Sequence, residues 1–110
     1  MMVRIIFRHI TGARATQVDV IPLGAHRELI LGRAPSAAVR FDARDDICVG
    51  RHHARIVPAA HDPSRLTLHD LRSRNGTYVN GDRVDRPVPL HSGDRVRLGR
   101  GGPEVEVLVE

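Results

Sequence analysis

This sequence of 110 residues contains no lysine and very few aromatic residues. The aromatic side chains are Phe7, Phe41 and Tyr78, so a hydrophobic core has to be built from aliphatic residues. All 17 basic residues are arginine. Arginine content alone does not establish a phosphate site, because it also follows genomic base composition. Even so, the planar guanidinium can hold a phosphate through two hydrogen bonds, whereas lysine offers a point charge.

Cysteine and long apolar runs are equally scarce. The single Cys48 cannot form an intramolecular disulfide, which fits a reducing compartment. We interpret it as a small buried hydrophobic residue rather than a reactive thiol. No apolar run approaches the length that crosses a membrane. We therefore expect a cytoplasmic protein that does not associate with membranes.

Most of the sequence consists of short segments in which apolar and charged residues alternate. No stretch of ten residues shows the apolar spacing of a helix. The clearest alternating segments are 3–10, where Val3, Ile5 and Phe7 alternate with Arg4 and Arg8, and 104–109, where valines alternate with glutamates. Shorter strands separated by Gly, Pro and Asn turns are expected at 16–21, 28–31, 39–41, 54–57, 66–69, 77–79, 83–84 and 95–98. This pattern is typical of an all-β protein, a β-sandwich of two antiparallel sheets with loops at its ends. We expect one domain over residues 1–110.

The run Ser73–Gly81 is the most informative part of the chain. It contains the dipeptide Asn-Gly twice, at Asn75-Gly76 and Asn80-Gly81, which suits tight turns that need φ > 0. Two shorter motifs precede it, Gly32-Arg33 and Gly50-Arg51-His52-His53-Ala54. Each of the three motifs carries an arginine, namely Arg33, Arg51 and Arg74. If their three loops converge, they form an anion-binding surface.

These motifs, in this order, resemble the forkhead-associated (FHA) domain, a phosphothreonine-binding module. The family pattern is Gly-Arg, then Ser-Arg-x-His-Ala, then Asp-Leu-x-Ser-x-Asn-Gly-Thr-x-Val-Asn-Gly. Residues Asp70–Gly81 match the third block at every fixed position, and a further family-like block follows at Leu90–Gly99. The resemblance covers about residues 28–109. It implies an FHA-like sandwich of about eleven short strands, with the binding loops at one end.

The resemblance also implies roles for individual residues. Arg33 would be the main phosphate clamp, and Asn75 would hydrogen-bond the peptide backbone, because an amide is both donor and acceptor. Phosphopeptide contacts are assigned to Arg33, Gly50, Arg51, Arg74 and Asn75. A loop-structuring role is assigned to Gly32, His53, Gly76, Thr77, Asn80 and Gly81.

Gly50 departs from the family pattern. It stands where the family has a serine, whose hydroxyl donates to the phosphate. Losing one charge-assisted hydrogen bond of roughly 1.5–3 kcal/mol would weaken binding by about tenfold to a hundredfold. The guanidinium of Arg74 is a candidate replacement donor. The other interpretation of Arg74 is a loop-edge charge left in water.

Two functions stay open at this point. The first is a reader of phosphothreonine peptides, with a Ser/Thr kinase or its substrate as partner. The second is a phosphorylation-independent assembly module in which Gly50 marks a degenerate pocket. Nucleic-acid binding is disfavoured, because the arginines are spread along the chain and base-stacking aromatics are nearly absent.

Catalysis and metal binding have little support in the sequence. Cys48 lies near His52 and His53, but proximity alone does not make a nucleophile. Adjacent histidines in a strand point to opposite faces, which does not suit a shared metal ion. We therefore expect no enzyme activity, no cofactor and no metal site.

Overall fold

The structure, a computed structural model, describes residues 3–110. Met1 and Met2, which the single-domain prediction includes, lie outside the described residues. Eleven strands and one 3₁₀ turn, Leu23–Ala25, follow one another along the described part of the chain. The strands are β1 (Arg4–His9), β2 (Val18–Pro22), β3 (Leu29–Gly32), β4 (Val39–Arg40), β5 (Ala54–Ala59), β6 (Asp62–Asp70), β7 (Thr77–Val79), β8 (Asp82–Arg83), β9 (Val88–Leu90), β10 (Arg95–Leu98) and β11 (Glu104–Val109). Within residues 3–110, no helix is long and apolar enough to span a membrane.

The strands form two sheets that enclose one core. The six-stranded sheet has the order β2-β1-β11-β10-β7-β8, and the five-stranded sheet has the order β4-β3-β5-β6-β9. Alternation explains the packing: Phe7 and Val107 are register partners in β1 and β11, and both are fully buried. Aliphatic residues of both sheets make up most of the buried cluster. The prediction of a β-sandwich is confirmed.

Three details differ from the sequence prediction. β3 and β4 pair in parallel, through Leu31 with Val39, so the five-stranded sheet is not purely antiparallel. The turn between β5 and β6 is shorter than the turn-rich segment 58–64, because both strands extend into it. β9 was not predicted. Its Pro89 lacks an N–H and is exposed on an edge strand, where proline is tolerated.

The topology brings several chain reversals to one end of the sandwich. Leu31 of β3 pairs with Ala54 of β5, and Ala54 pairs with Asp70 of β6. In the other sheet, Thr77 of β7 pairs with Leu98 of β10. The loops 33–38, 41–53 and 71–76, named L1, L2 and L3, therefore leave the sheets at the same end. All three arginine-bearing motifs begin or end in these loops.

Candidate functional site

L1 and L2 are held together by main-chain hydrogen bonds. The N–H of Arg33 donates to the carbonyl of Gly50, and the N–H of Ala34 donates to the carbonyl of Arg51, each at 3.0 Å. Gly32 permits this approach, because a Cβ there would lie 2.0 Å from the Arg51 carbonyl oxygen. A hydrogen is the only substituent that fits. The backbone of Gly32 is therefore part of the site, although its side chain offers no chemistry.

His53 joins L2 to L3 from inside the protein. Its side chain is fully buried, and its Nδ1 accepts a hydrogen bond from the Gly50 N–H at 2.9 Å. Nε2 then carries the proton and donates to the carbonyl of Gly76 at 2.8 Å. Burial lowers the pKa of His53, against the opposing effects of the Gly76 carbonyl and Asp70. The imidazole is thus neutral and fixes the distance between two binding loops.

Asp70 organises L3 with its carboxylate. Oδ2 accepts from the Ser73 N–H at 3.1 Å, while Oδ1 accepts from the hydroxyls of Ser73 at 2.5 Å and Thr77 at 2.6 Å. The Ser73 hydroxyl oxygen in turn accepts from the N–H of Gly76 at 3.0 Å. Gly76 has φ +85, a left-handed conformation that glycine adopts without strain. L3 is therefore ordered without a ligand.

The guanidinium of Arg33 is held in place by L2. Its Nε donates to the carbonyl of Val49, and its Nη1 donates to the carbonyl of Ala43 at 2.9 Å. Nη2 has no hydrogen-bond partner among residues 3–110. The side chain is therefore oriented in advance and keeps donor capacity on one side.

Gly50 does not fit the assigned phosphate contact through its main chain. Its N–H donates to His53, and its carbonyl accepts from Arg33. Without a side chain, the position has no donor left for an anion. The nearest atoms to a Cβ at Gly50 belong to His53, at 3.8 Å or more, so a larger residue fits there.

Arg51, Arg74 and Asn75 are exposed at the surface of L2 and L3. The two guanidiniums make no ion pair or hydrogen bond within the part of the chain that the structure describes. Asn75 donates from Nδ2 to the carbonyl of Cys48 at 2.9 Å, which adds another link between L3 and L2. Its Oδ1 accepts no hydrogen bond from the described residues. An acceptor is thus available for a peptide N–H.

Asn80 and Gly81 lie at the opposite end of β7 from L3. Both have positive φ, +50 and +89, and form the two-residue turn between β7 and β8. The Asn80 amide donates to Asp94 and accepts from the N–H of Arg95, each at 3.0 Å. The sequence places these residues near Asn75, but the length of β7 separates them from the loops.

Two aspartates that order L2 were not singled out from the sequence. Asp42 Oδ1 accepts from the N–H groups of Arg44 and Asp45, both at 2.8 Å, and these bonds lower its pKa. The buried Asp46 accepts from the N–H groups of Ala13 and Asp42, both at 3.2 Å. Aspartates that bond their own backbone two or three residues ahead are a recognisable turn signal. That signal was available in the run 42–46.

The three arginine-bearing motifs thus begin or end in loops L1, L2 and L3 at one end of the sandwich. Comparison with known protein families supports the same assignment. The sequence profile of the FHA domain matches residues 29–99, more than half of the chain. The chain belongs to the FHA domain family. The family resemblance stated from the sequence is thereby confirmed.

This FHA domain is similar to parts of larger mycobacterial proteins. The ABC transporter ATP-binding/permease protein Rv1747 of Mycobacterium tuberculosis is 40% identical over 77 residues, 64% of this chain and 8% of that protein. The glycogen accumulation regulator GarA of Mycobacterium tuberculosis is 31% identical over 106 residues, 82% of this chain and 62% of GarA. The chain thus spans less than two thirds of either relative.

Solved FHA domains superpose on nearly the whole chain. The FhaA FHA domain, complexed with the intracellular domain of Rv3910, shares 28% identity and a TM-score of 0.74, covering 94% of this chain and 98% of that one. An FHA structure solved for phosphothreonine-dependent interactions shares 28% identity and a TM-score of 0.75, covering 96% and 95%. The fold of this chain, including the end of the sandwich that carries L1, L2 and L3, is therefore similar to that of solved FHA domains.

Replacing Gly32 by alanine should destabilise the FHA domain. The new methyl would overlap the Arg51 carbonyl and force L1 and L2 apart, at a cost of about 1–3 kcal/mol or more. Gly101→Ala is the matched control, because no atom lies within 4 Å of a Cβ there. Urea denaturation of both variants measures the difference. Equal unfolding free energies would contradict the close approach.

Acid should destabilise the domain through His53. Its folded pKa lies below the ordinary 6.5, so its contribution is complete above about pH 6.5 and is lost as pH falls through the folded pKa. His53→Gln should therefore reduce the fall in unfolding free energy between about pH 7 and pH 5. The fall persists in part, since burial also lowers the pKa of His9. The exposed His61→Gln control should keep the wild-type slope, and an unchanged slope in His53→Gln would refute this role.

Proposed function

We propose that this FHA domain binds a phosphothreonine-containing peptide across L1, L2 and L3. It acts as a non-catalytic protein-interaction module, with residues 1–110 forming one domain. Its partner is a phosphorylated protein, such as a Ser/Thr kinase or the substrate of one. Support comes from family membership and from the solved FHA domains whose interactions depend on phosphothreonine.

The observation that carries the proposal is the fixed guanidinium of Arg33, together with the guanidiniums of Arg51 and Arg74, which have no hydrogen-bond or ion-pair partner among residues 3–110. Arg33 is oriented by the carbonyls of Val49 and Ala43, so little side-chain entropy is lost when its remaining donors meet a phosphate. Arg51 and Arg74 are exposed on the neighbouring loops. The guanidiniums of Arg33, Arg51 and Arg74 on these loops favour a dianionic ligand over a neutral one.

Asn75 extends the proposed site from the phosphate to the peptide backbone. Its Nδ2 is bonded to Cys48, and this bond orients the free Oδ1. A peptide N–H next to the phosphothreonine can donate to that oxygen. Affinity would then depend on the phosphate and on a main-chain contact, which requires no particular neighbouring side chain.

A phosphothreonine peptide selected from a degenerate library should bind, while the same peptide without phosphate should not. Arg74→Ala removes a guanidinium that makes no hydrogen bond or ion pair within residues 3–110, so the fold should be unaffected. We expect its affinity to fall by about tenfold to a hundredfold, the loss of one charge-assisted hydrogen bond. Isothermal titration calorimetry measures both effects.

The control for charge is Arg65→Ala, whose side chain is 80% exposed on β6 and away from the loops. It removes the same formal charge and should leave affinity within about twofold. Equal binding of both peptides would instead support a phosphorylation-independent module. Equal losses in Arg74→Ala and Arg65→Ala would show that net charge, and not L3, determines affinity.

Gly50→Ser tests the departure from the family pattern. The added side chain has room against His53 and restores a hydroxyl donor at the loop. We expect phosphopeptide affinity to rise by about tenfold, with the thermal midpoint nearly unchanged. Gly50→Ala is the matched control that adds the methylene without the hydroxyl. If serine and alanine have the same effect, the hydroxyl does not reach the phosphate.

A further inference from the structure

The edges of the two sheets differ in how well they are protected. Edge strands expose unpaired N–H and C=O groups, and proteins usually protect them with short strands, proline or charge. The edges here are β2 and β8 in one sheet and β4 and β9 in the other. β4 and β8 have two residues each, and β9 contains Pro89. β2 has five residues, with its only proline at the end.

The outward main-chain groups of Val18 and Val20 in β2 have no hydrogen-bond partner among residues 3–110. The N–H of Leu23 donates to the carbonyl of Val3, and the N–H of His9 donates to the carbonyl of Gln17, both at 2.9 Å. Odd-numbered residues of this segment therefore face β1 in the antiparallel ladder. Val18 and Val20 direct their N–H and C=O groups away from β1. Among residues 3–110, no group bonds to them.

The outward side chains of β2 are apolar and half exposed. Val18 is 52% exposed and Val20 is 50% exposed. Val20 continues a row across the sheet through its register partner Ile6 to Leu108. The charged residues that flank this row are paired within the chain: Arg8 with Glu106 at 3.0 Å, and Arg4 with Glu110 at 3.1 Å.

We propose that β2 pairs antiparallel with β2 of a second copy of this chain, about a twofold axis at Val20. The two Val20 residues exchange two hydrogen bonds, and each Val18 N–H donates to the Pro22 carbonyl of the other copy. Asp19 then lies opposite Ile21 of the other copy. The adjacent register would place the two Asp19 residues opposite each other, and like charges directly opposite are destabilising.

The second copy fits this edge because the edge is complementary to itself. The central row becomes Leu108, Ile6 and Val20 followed by Val20, Ile6 and Leu108 of the other copy. In the flanking row, Val18 and Pro22 separate the arginines of the two copies, so no like charges meet. Such an isologous contact is small, and small interfaces are weak, so the dimer should form at high micromolar concentration.

The dimer leaves L1, L2 and L3 free. Arg33, Arg74 and Asn75 lie outside β2 and outside the rows that meet at the axis. One dimer would therefore present two separate anion-binding ends. Peptide binding and self-association can be measured independently, and the failure of one does not imply the failure of the other.

Sedimentation velocity of the wild type from about 10 µM to about 1 mM should show a monomer that converts to a dimer. Val20→Lys places two ammonium groups at the axis and should leave a folded monomer at every concentration. Ile47→Lys is the control, because Ile47 is 76% exposed on L2. It should dimerise like the wild type. A wild type that stays monomeric, or two lysine variants that behave alike, would overturn the proposal.

Disulfide trapping tests the register in a Cys48→Ala background. Residues directly opposite in a hydrogen-bonded pair have Cα atoms about 5.5 Å apart, within the range of a disulfide. Val20→Cys should therefore give a covalent dimer under mild oxidation. Val18 lies opposite Pro22, so the two residues 18 are about 14 Å apart, and Val18→Cys should stay monomeric. Cross-linking at position 18 but not at position 20 would exclude this register.

Discussion

A single buried imidazole holds the binding end of this FHA domain together. His53 accepts from Gly50 on L2 and donates to Gly76 on L3, so the two loops keep a fixed separation without a ligand. Each contact is to main chain, so it does not depend on the side chains that face the peptide. The surface residues of these loops can therefore differ among relatives while the frame beneath them stays the same.

Two further constraints make this frame rigid. The missing side chain of Gly32 lets L1 lie directly against L2, and the Asp70 carboxylate orders L3 through Ser73 and Thr77. A preorganised site loses little conformational entropy on binding. Arg33 shares in this order, because two L2 carbonyls orient its guanidinium. The exposed Arg51 and Arg74 are instead free to adjust to the ligand.

The N–H of Gly50 cannot both support the buried histidine and donate to a ligand. Its N–H supports His53, so it is not available to an anion. The family resemblance implies that a serine at this position would supply a hydroxyl donor to the phosphate. Here the same frame is kept without that donor. Under the proposed function, phosphate affinity would then rest more heavily on the arginines.

Sequence reasoning predicted the regular parts of the molecule well. The alternation in β1 and β11 is unambiguous, because one face of each strand is buried, and Asn80-Gly81 forms a tight hairpin turn. β4 was expected at 39–41, whereas β9 is too short to show a period and contains a proline, which is uncommon in strands. The ordered motifs identified the family and the loops of the candidate site.

Contacts between distant residues could not be read from the chain. The approach of Gly32 to Arg51, and the separate bonds of His53 to Gly50 and Gly76, depend on how two sheets bring three loops together. Asn80, which was assigned a loop-structuring role from the sequence, lies in the β7–β8 turn at the opposite end of β7 from L3. The unpaired edge of β2 likewise becomes visible only when the strand order is known.

The most direct test is a ¹⁵N–¹H NMR titration with a phosphothreonine peptide, followed by the same peptide without phosphate. Amide shifts should concentrate in L1, L2 and L3 and should disappear without the phosphate. The amide of Gly50 should stay protected from exchange throughout, because its N–H remains bonded to His53. Shifts centred elsewhere on the sandwich, or equal shifts with both peptides, would show that L1, L2 and L3 do not form a phosphate-dependent peptide site.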